Sequence, residues 1–436
     1  MRHLLIAALA LAASPAYAAE GPDDPPDSPG AVVGGGEDGL QVIVGPGGTS
    51  LEALAVPDAR CVDGAGADVC KSVTSVLRRD MTLSFFFEVL PSRSYLVDPE
   101  TEPLETPSFQ DWTNIGAGYL IKAEVRGGGP YDAEFRLYDV AGGKAVKVDE
   151  QSFRGVGKGQ LRSATHRFCN GVMKARTGKA GVFDTRIAYA KKLGIGVKGI
   201  GIVDMDGFNR NVLISNGSIN ILPSWGFGGV LYTSFLDGHP ELFFGKRKLS
   251  RDRGHYRRVA VSPDGARMVA SISYGEQSDL YLLSKDGEVV KNLTNSGYDE
   301  VSPTFSPDGS KIAFVSSAAG SPQIYVMSSG GGDPARLTFA GDYNYAPDWG
   351  SNGLIAFASM ENSSSDIFTV SEGGQITRLT QNQGNNKDPS WSPDGRYVAF
   401  VSQRADGTGI YLMSADGRYQ TMIASGGGVS NVAWEK

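Results

Sequence analysis

The sequence predicts a mainly β protein, in which a six-bladed β-propeller at the carboxyl end follows a small amino-terminal α/β domain. One motif recurs: PTFSPDGSKIAFVSS at 303–317 nearly repeats as PSWSPDGRYVAFVSQ at 389–403, and RVAVSPDGARMVASIS at 258–273 is a looser copy. The content of 58 Gly residues suits many tight turns better than helices. The strands that the last repeat lacks are also present at the beginning of the repeat region. Recurrence at roughly 40–50 residues is typical of propeller blades.

Each repeat is marked by a bulky residue directly before a turn. These residues recur at intervals of 36 to 44 positions: Trp225, Val261, Phe305, Trp349, Trp391 and Trp434. In three copies the turn is SPDG, where Pro presets φ, Asp bonds back to the backbone and Gly takes the positive-φ corner. Three strand-like runs follow each turn, and together with the strand before the turn they give four strands per repeat. We interpret the Asp residues as turn formers, because single carboxylates on different blades cannot surround one metal ion.

The last repeat contains only a first strand, at Trp434, before the sequence ends. The missing strands are matched by TRIAYAKK from Thr185, GIGIVDMDG from Gly199 and RNVLIS from Arg210. We therefore predict that the strand of Trp434 pairs with the strand of Ile187 and closes the ring as a sixth blade. Such closure removes free sheet edges.

The composition along the chain predicts four regions. They are a signal peptide at 1–18, a disordered segment rich in Pro, Gly and Asp at 19–39, the α/β domain at 40–180 and the propeller at 181–436. The signal has a basic start, an apolar run of ten residues and the cleavage site Ala16-Tyr17-Ala18. Because ten apolar residues are too few to cross a bilayer, a soluble exported protein without a membrane span is expected.

The α/β domain combines helical and strand patterns. DVCKSVTSVLRRDM, from Asp68, places its apolar residues on one helical face, and 158–178 has a second helical spacing. In YLIKAEVRG, from Tyr119, apolar and polar residues alternate. This alternation predicts a half-buried strand, with Ile121, Ala123 and Val125 on one side and Lys122, Glu124 and Arg126 on the side that faces solvent.

The chain has three cysteines. Cys61 and Cys70 are a candidate disulfide in an exported chain, because oxidising compartments preserve such bonds. Two unlinked small apolar side chains are the alternative. Cys169, on the second predicted helix, is interpreted as a buried thiol, since no acid or base partner can be named for it.

Composition and motifs favour binding over catalysis. The net charge of −7 disfavours a nucleic-acid partner, which needs a basic face. The sequence has no nucleophile elbow, no P-loop and no His at metal-ligand spacing, so no catalytic residue, metal or cofactor is expected. Two alternatives stay open. One is an exported propeller that binds a small ligand or sugar, or an orphaned relative of peptidase propellers; the other is a hydrolase using His255 with a carboxylate such as Asp299.

Four segments make the chain resemble the TolB family of periplasmic proteins. They are GVFDTRIAYA at 181–190, DMDGFNRNVLIS at 204–215, the P-x-W-S-P-D-G blade starts and LRRDMTLSFFFEVLP at 77–91. SPDG turns alone occur in several propeller families, whereas this junction, the six-blade closure and the small α/β domain in this order are more specific. The resemblance implies a monomeric periplasmic adaptor of the Tol–Pal system, which links the inner membrane, peptidoglycan and outer membrane and supports constriction during division.

The resemblance also implies a partner at the propeller's channel mouth. The peptidoglycan-associated lipoprotein, Pal, is expected to contact the loops that lead into the first strand of each blade. The candidate Pal contacts are His255, Tyr256, Arg257, Tyr298, Asp299, Glu300, Tyr343, Asn344, Tyr345, Asn385, Asn386 and Lys387. Their mixture of aromatic and polar side chains suits a protein interface. Other outer-membrane lipoproteins and colicins are further partners that the resemblance suggests.

A second implied partner is the C-terminal domain of TolA. The segment LQVIVGPGG matches the family's amino-terminal strand, so Gln41, Val42, Ile43 and Val44 are the candidate TolA contacts. An unpaired strand can add to a partner's sheet through main-chain hydrogen bonds. A strand permanently docked on its own protein is the alternative.

The segment KRKLSRDRGHYRR, at 246–258, carries seven basic residues and one acidic residue. A solvated strand end is the ordinary interpretation of such a segment. A surface that steers an acidic partner by charge is the alternative.

Overall fold

The computed structural model describes residues 31–35, 41–44, 50–405 and 407–436. The predicted signal peptide at 1–18 and most of the predicted disordered segment at 19–39 lie outside the described residues. Within that segment, however, Ala31–Gly35 forms a strand, antiparallel to Gln41–Val44. We call these two strands the amino-terminal strand pair. Residues of the Gly-rich segment therefore pair through main-chain hydrogen bonds with a neighbouring strand, which composition alone did not indicate.

The propeller has six four-stranded antiparallel blades around a central channel. From the innermost strand outward the blades are: blade 1, Val429–Trp434, Arg186–Gly194, Val197–Asp204 and Asn211–Ile214; blade 2, Asn220–Gly226, Gly229–Ser234, Glu241–Phe244 and Arg247–Lys248; blade 3, His255–Val261, Arg267–Ser273, Ser278–Ser284 and Val289–Asn292; blade 4, Glu300–Phe305, Lys311–Ser316, Gln323–Ser328 and Ala335–Arg336; blade 5, Tyr343–Trp349, Ile355–Glu361, Ser364–Val370 and Ile376–Arg378; blade 6, Asn385–Trp391, Tyr397–Arg404, Gly407–Ser414 and Tyr419–Ser425. The predicted fold class is confirmed.

The ring closes as the sequence predicts. Ile187 pairs with Trp434, and the blade-1 strand that carries Trp434 comes from the far end of the chain. The Trp434 indole Nε1 donates a hydrogen bond to Thr185 Oγ1 over 2.8 Å, and Arg186 forms an ion pair of 2.6 Å with Glu435. The closing strand is therefore held both by its ladder and by side chains.

In blades 4, 5 and 6 a hydrogen bond to the next blade is made from the same position, directly before the bulky residue of the first strand. Thr304 Oγ1 accepts from the Trp349 amide over 3.3 Å, and Ser390 Oγ accepts from the Trp434 amide over 3.0 Å. Asp348 Oδ2 accepts from the Trp391 amide over 2.7 Å. Because these side chains satisfy backbone donors of the next blade, they lock the blades in register.

The α/β domain packs three helices against a mixed sheet. The helices are α1 (Ala67–Leu83), α2 (Phe109–Asn114) and α3 (Lys158–Thr177), with a 3₁₀ turn at Ser92–Ser94. The strands are Glu52–Ala55, Arg60–Val62, Phe87–Val89, Tyr119–Arg126, Tyr131–Asp139, Lys144–Val146 and Ser152–Val156. Those N-terminal to Tyr119–Arg126 pair in parallel and those after it antiparallel. In the described residues no helix has the length and apolarity needed to span a membrane.

The prediction that Lys122 and Glu124 face solvent is wrong. Both side chains are buried, with 3% of each residue exposed. Lys122 Nζ lies 2.7 Å from Glu102 Oε2, and Glu124 Oε2 lies 2.9 Å from Arg60 Nη1. The loop carrying Glu102 covers this face of the sheet, and each buried charge has an opposite charge beside it, as burial requires.

The cysteines occupy two environments in the α/β domain. Cys61 and Cys70 are joined in a disulfide with an S–S distance of 1.98 Å. Cys169 is a free, fully buried thiol on α3, and burial raises its pKa well above the usual value. A thiol held in its neutral form is a poor nucleophile, which agrees with an inert structural role.

The α/β domain and the propeller share one hydrophobic core. Helices α1 and α3 contribute Leu77 and Phe168, and blades 1 and 6 contribute Val203 and Tyr397 to the same cluster. The Tyr397 hydroxyl donates to the carbonyl oxygen of Ser84 over 3.0 Å. The two domains are therefore packed against each other and do not sit at the ends of a flexible linker.

Candidate functional site

The propeller has two ends with different loops. At one end, which we call the loop face, lie the connections between blades and the hairpins between second and third strands. At the other end, the turn face, lie the SPDG turns between first and second strands. Because strands alternate in direction, every loop of a given kind falls on the same face in all blades.

Exposed hydrophobic side chains are concentrated on the loop face. Of the fifteen large hydrophobic residues that are exposed among the described residues, eight lie there: Leu193, Ile195, Leu236, Tyr274, Tyr298, Phe339, Tyr343 and Met360. Ile195 is 99% exposed and Phe339 is 72% exposed. The hairpins and loops of the turn face carry one member of the fifteen, Phe208. This concentration distinguishes the loop face from the turn face, because grouped exposure of apolar side chains is costly.

The structure leaves eight of the twelve candidate Pal contacts accessible at this face. They are His255, Arg257, Tyr298, Asp299, Tyr343, Tyr345, Asn385 and Lys387. Tyr298 is 50% exposed and Tyr343 is 41% exposed. Tyr343 and Tyr345 meet edge to face with ring centroids 5.4 Å apart, so these two rings form a rigid aromatic pair.

The other four candidates are buried and cannot contact a partner in this conformation: Tyr256, Glu300, Asn344 and Asn386. Tyr256, Asn344 and Asn386 occupy the second position of a first strand and Glu300 the first position, where the alternation of the strand turns the side chain into the blade. Asn386 Oδ1 accepts from Ser402 over 2.7 Å, and Asn344 Nδ2 donates to Gln323 Oε1 over 2.8 Å. These side chains support the loops from beneath.

Sequence analysis missed several residues of the loop face. Ile195, Leu236, Tyr274 and Met360 come from the hairpins between second and third strands, whereas the predicted contacts came only from the loops between blades. An isoleucine between two glycines, as in Leu193-Gly194-Ile195-Gly196, was an available signal, because a β-hairpin tip is normally polar.

A cavity of about 400 Å³ lies in the turn-face half of the channel. Its wall includes Pro223, Trp225, Pro303 and Pro347. Three of its lining residues are charged: Asp348 Oδ1 accepts from Lys436 Nζ over 2.7 Å, Asp348 Oδ2 accepts from the Trp391 amide, and Arg258 also lines the wall. The cavity has a volume typical of small-molecule sites.

The candidate TolA strand is docked on the propeller. The backbone of Gln41–Val44 pairs with Ala31–Gly35 on one side and with Tyr419–Ser425, the outer strand of blade 6, on the other. Ile43 aligns with Gln420 and Val44 with Tyr419. Both edges of Gln41–Val44 are therefore occupied, and Ala31–Gly35 is the edge strand of the extended blade-6 sheet.

The basic segment at 246–258 runs from the outer strand of blade 2 to the innermost strand of blade 3, and several of its charges are paired. Lys248 Nζ lies 3.2 Å from Asp237 and also contacts Glu241, and Arg251 lies 2.7 Å from Glu288. Pairing of this kind reduces the field available to steer an acidic partner. The segment behaves mainly as a strand end with local ion pairs.

One group of three possible metal-binding side chains occurs in the described residues, with its ligand atoms within 4.8 Å of one another: Asp80, His166 and Asp206. It lies where α1 and α3 meet blade 1, remote from the loop face. Asp206 is already contacted by Arg162, so the group has its own counter-charge. We assign no metal to it.

Comparisons with known proteins agree on one family. A family model described as the TolB beta propeller domain matches residues 173–436, and one described as the TolB amino-terminal domain matches residues 40–146. The chain is 40% identical over 315 residues to the Tol-Pal system protein TolB of Anaeromyxobacter dehalogenans strain 2CP-C, covering 70% of this chain and 67% of that protein. It is 39% identical over 316 residues to the protein of the same name from Anaeromyxobacter sp. strain K, with coverage of 70% and 67%.

The fold is also that of a solved structure. The crystal structure of TolB from Acinetobacter baumannii superposes with a TM-score of 0.76 at 23% identity, covering 91% of this chain and 99% of that one. At this identity the likeness concerns the fold alone, and the identity of about 40% to the curated relatives carries the assignment. The chain belongs to the TolB family.

Proposed function

We propose that this protein is a non-catalytic periplasmic adaptor, which binds Pal on the loop face and TolA through the amino-terminal strand pair. Its relatives are named Tol-Pal system proteins, and membership of the TolB family makes the chain a component of that system. The observation that carries the proposal is the concentration of exposed hydrophobic side chains on the loop face. A soluble protein keeps such a surface for a partner.

The composition of the loop face supports a protein partner. Tyrosines such as Tyr298 and Tyr343 lie beside the exposed polar residues Asp299 and Lys387, in a mixture of apolar anchors and polar rim. Interfaces of this composition derive most of their affinity from a few aromatic anchors. The hairpin at Ile195 extends the apolar area to blade 1, so we include it in the proposed contact.

The channel cavity supports a second candidate function, the binding of a small ligand or sugar. Its volume of about 400 Å³ would accommodate a small molecule. Against it, the Asp348 and Lys436 side chains bind each other over 2.7 Å, which leaves Arg258 as the charged side chain of the wall outside this pair. A sugar needs several oriented hydrogen bonds, so the protein partner is the better supported function.

The Pal proposal is tested by calorimetry with the mature protein and the folded Pal domain of the same organism. We expect saturable one-to-one binding, because the loop face offers one contiguous surface around one channel. The titration is performed in both directions, with the Pal domain added to the mature protein and with the mature protein added to the Pal domain. If folded Pal produces no binding heat at several temperatures and no shift in gel filtration, the proposal is rejected.

The TolA proposal is tested by two deletions. Removing residues 19–39 takes away Ala31–Gly35 and leaves one edge of Gln41–Val44 unpaired, whereas removing 19–47 takes away both strands. We expect the shorter deletion to keep or strengthen TolA binding, and the longer one to abolish it, since strand addition needs a free edge. Circular dichroism checks that the propeller stays folded. Unchanged affinity after the longer deletion, or complete loss after the shorter one, would contradict the assignment to Gln41–Val44.

A further inference from the structure

The junction between the α/β domain and the propeller contains a buried cluster of ionisable groups that the adaptor function does not use. Asp80 is on α1, His166 is on α3, and Asp206 is in the turn after the third strand of blade 1. The Asp80 and Asp206 side chains are completely buried, and the His166 side chain is 5% exposed. His166 Nδ1 lies 2.7 Å from Asp80 Oδ2, and His166 Nε2 lies 3.9 Å from Asp206 Oδ2. His166 therefore bridges the two domains through two carboxylates.

Two arginines complete the cluster. Arg162 Nη2 on α3 donates to the Asp206 carboxylate, and its Nε lies 3.8 Å from Asp204 Oδ2. Arg79 Nε on α1 donates to the backbone carbonyl of Asp206. The two guanidinium groups also lie over the ring of Phe208, at 5.2 Å for Arg79 and 4.5 Å for Arg162. They form a cationic layer above the buried aspartates.

The charges of this cluster do not balance with a neutral imidazole. The groups around His166 and its two carboxylate partners come from every element packed there: Asp80 and Arg79 from α1, Arg162 and Cys169 from α3, Asp204 and Asp206 from blade 1, and Tyr397 from blade 6. Three of them are carboxylates and two are guanidinium groups, while the thiol and phenol are neutral. One positive charge is missing, and an uncompensated buried charge is costly.

The hydrogen bonding of the cluster is also incomplete in the same place. Among the described residues, the buried atom His166 Nε2 has no hydrogen-bond partner. With its one proton on Nδ1 and donated to Asp80, a neutral imidazole would direct the Nε2 lone pair at the Asp206 carboxylate. A second proton, on Nε2, removes this repulsion and supplies the missing charge.

We propose that the junction is a binding site for one proton, held by His166 between Asp80 and Asp206, and that this proton strengthens the attachment of the α/β domain to the propeller. The proton is taken from solvent onto Nε2, and the imidazole becomes an imidazolium without any other bond changing. A divalent cation would fit less well, because two added charges exceed the single missing charge and Arg162 already occupies Asp206.

The electrostatic environment of His166 favours the protonated imidazole that we propose. Burial lowers the pKa of His166, but the Asp80 carboxylate and its hydrogen bond raise it by more, so the net pKa is above the ordinary value. Burial raises the pKa of Asp80 as well, while the facing His166 imidazole lowers it. Because the folded pKa of His166 is raised, its stabilisation is complete below the unfolded value of about 6.5 and is lost as pH rises through the folded pKa.

The direct test is an NMR titration of the imidazole resonances of the mature wild-type protein between pH 5 and 9. The resonance of His166 is identified by elimination, with His239→Gln and His255→Gln, so that the junction stays intact during the measurement. We expect the His166 midpoint to lie above that of the exposed His255. A His166 midpoint at or below about 6.5, the value for an unperturbed imidazole, would overturn the proposal.

The effect on domain attachment is tested by the pH dependence of unfolding. Above about pH 6.5 the folded-to-unfolded ratio of the wild type should fall by up to tenfold per pH unit, until the folded pKa is reached. This slope should disappear in His166→Asn and remain in His255→Gln, a matched exposed histidine. An identical slope in His166→Asn and wild type would contradict the proposal. A rise in melting temperature with Co²⁺, together with the absorption bands of bound cobalt, would replace the proton by a metal.

Discussion

Replacing Trp434 by alanine is expected to lower the free energy of unfolding by about 3–5 kcal/mol. Trp434 is 1% exposed, stacks on Tyr397 with ring centroids 6.4 Å apart and belongs to the core shared by both domains. Its strand is also the one that closes blade 1. Deleting the indole removes apolar contacts, leaves a cavity and strips Thr185 of its hydrogen-bond donor. Urea denaturation followed by far-ultraviolet circular dichroism measures the loss.

Trp225→Ala provides the matched control. Trp225 occupies the same repeat position in blade 2, but its side chain is only partly buried and lines the channel. Its indole Nε1 also donates a hydrogen bond, to the carbonyl of Ala433 over 2.9 Å, so the two substitutions delete comparable groups. We expect the Trp225→Ala loss to be smaller by about half, since less area leaves water. If the two variants lose the same free energy of unfolding, the position of Trp434 in the ring-closing strand adds nothing to its contribution to stability.

The propeller could be predicted from the sequence because its information is local and repeated. Each blade carries its own turn, SPDG or an equivalent, and its own alternating strands, so an error in one copy is corrected by the others. Closure needed one long-range match, between the segment at Ile187 and the strand of Trp434, and the missing strands of the last repeat supplied it. Because the repeats are regular, counting the strands of each repeat was enough to predict the long-range pairing that closes the ring.

The features that could not be predicted depend on partners far away in sequence. Lys122 alternates like a solvent-facing residue, and only the loop that carries Glu102 buries it. Asp80 and His166 are 86 positions apart, and their contact with Asp206 exists only when the two domains pack together. No local spacing contains that information. On the loop face, the same limit separates Tyr298, which is exposed, from Glu300, which the strand turns inward.

Simultaneous replacement of Tyr298 and Tyr343 by alanine is expected to weaken Pal binding by about 1,000-fold, or about 4 kcal/mol. The two tyrosines lie on successive inter-blade loops, those entering blades 4 and 5, and both rings are about half exposed. Aromatic anchors of this kind contribute about 2 kcal/mol or more each when a partner covers them, because their apolar area leaves water at a small entropic cost. Calorimetry of the double variant against the folded Pal domain measures the change. Its unfolding should differ little from wild type, because neither ring belongs to a core cluster.

The control replaces two hydrophobic residues that are equally exposed but lie on outer strands, Val290 in blade 3 and Ile376 in blade 5. Val290→Ala with Ile376→Ala removes apolar surface from the rim and should leave Pal affinity within about twofold, since the loop face is unchanged. A third variant, Ile195→Asp, tests whether contact extends to blade 1, because a carboxylate at the hairpin tip is costly to bury against an apolar partner surface. If the rim variant weakens binding as much as the tyrosine variant, Pal binds the side of the propeller and the loop face is not its site. If Ile195→Asp leaves Pal affinity unchanged while the tyrosine variant loses it, the contact is confined to the loops between blades, and the hairpin of blade 1 remains available for another partner.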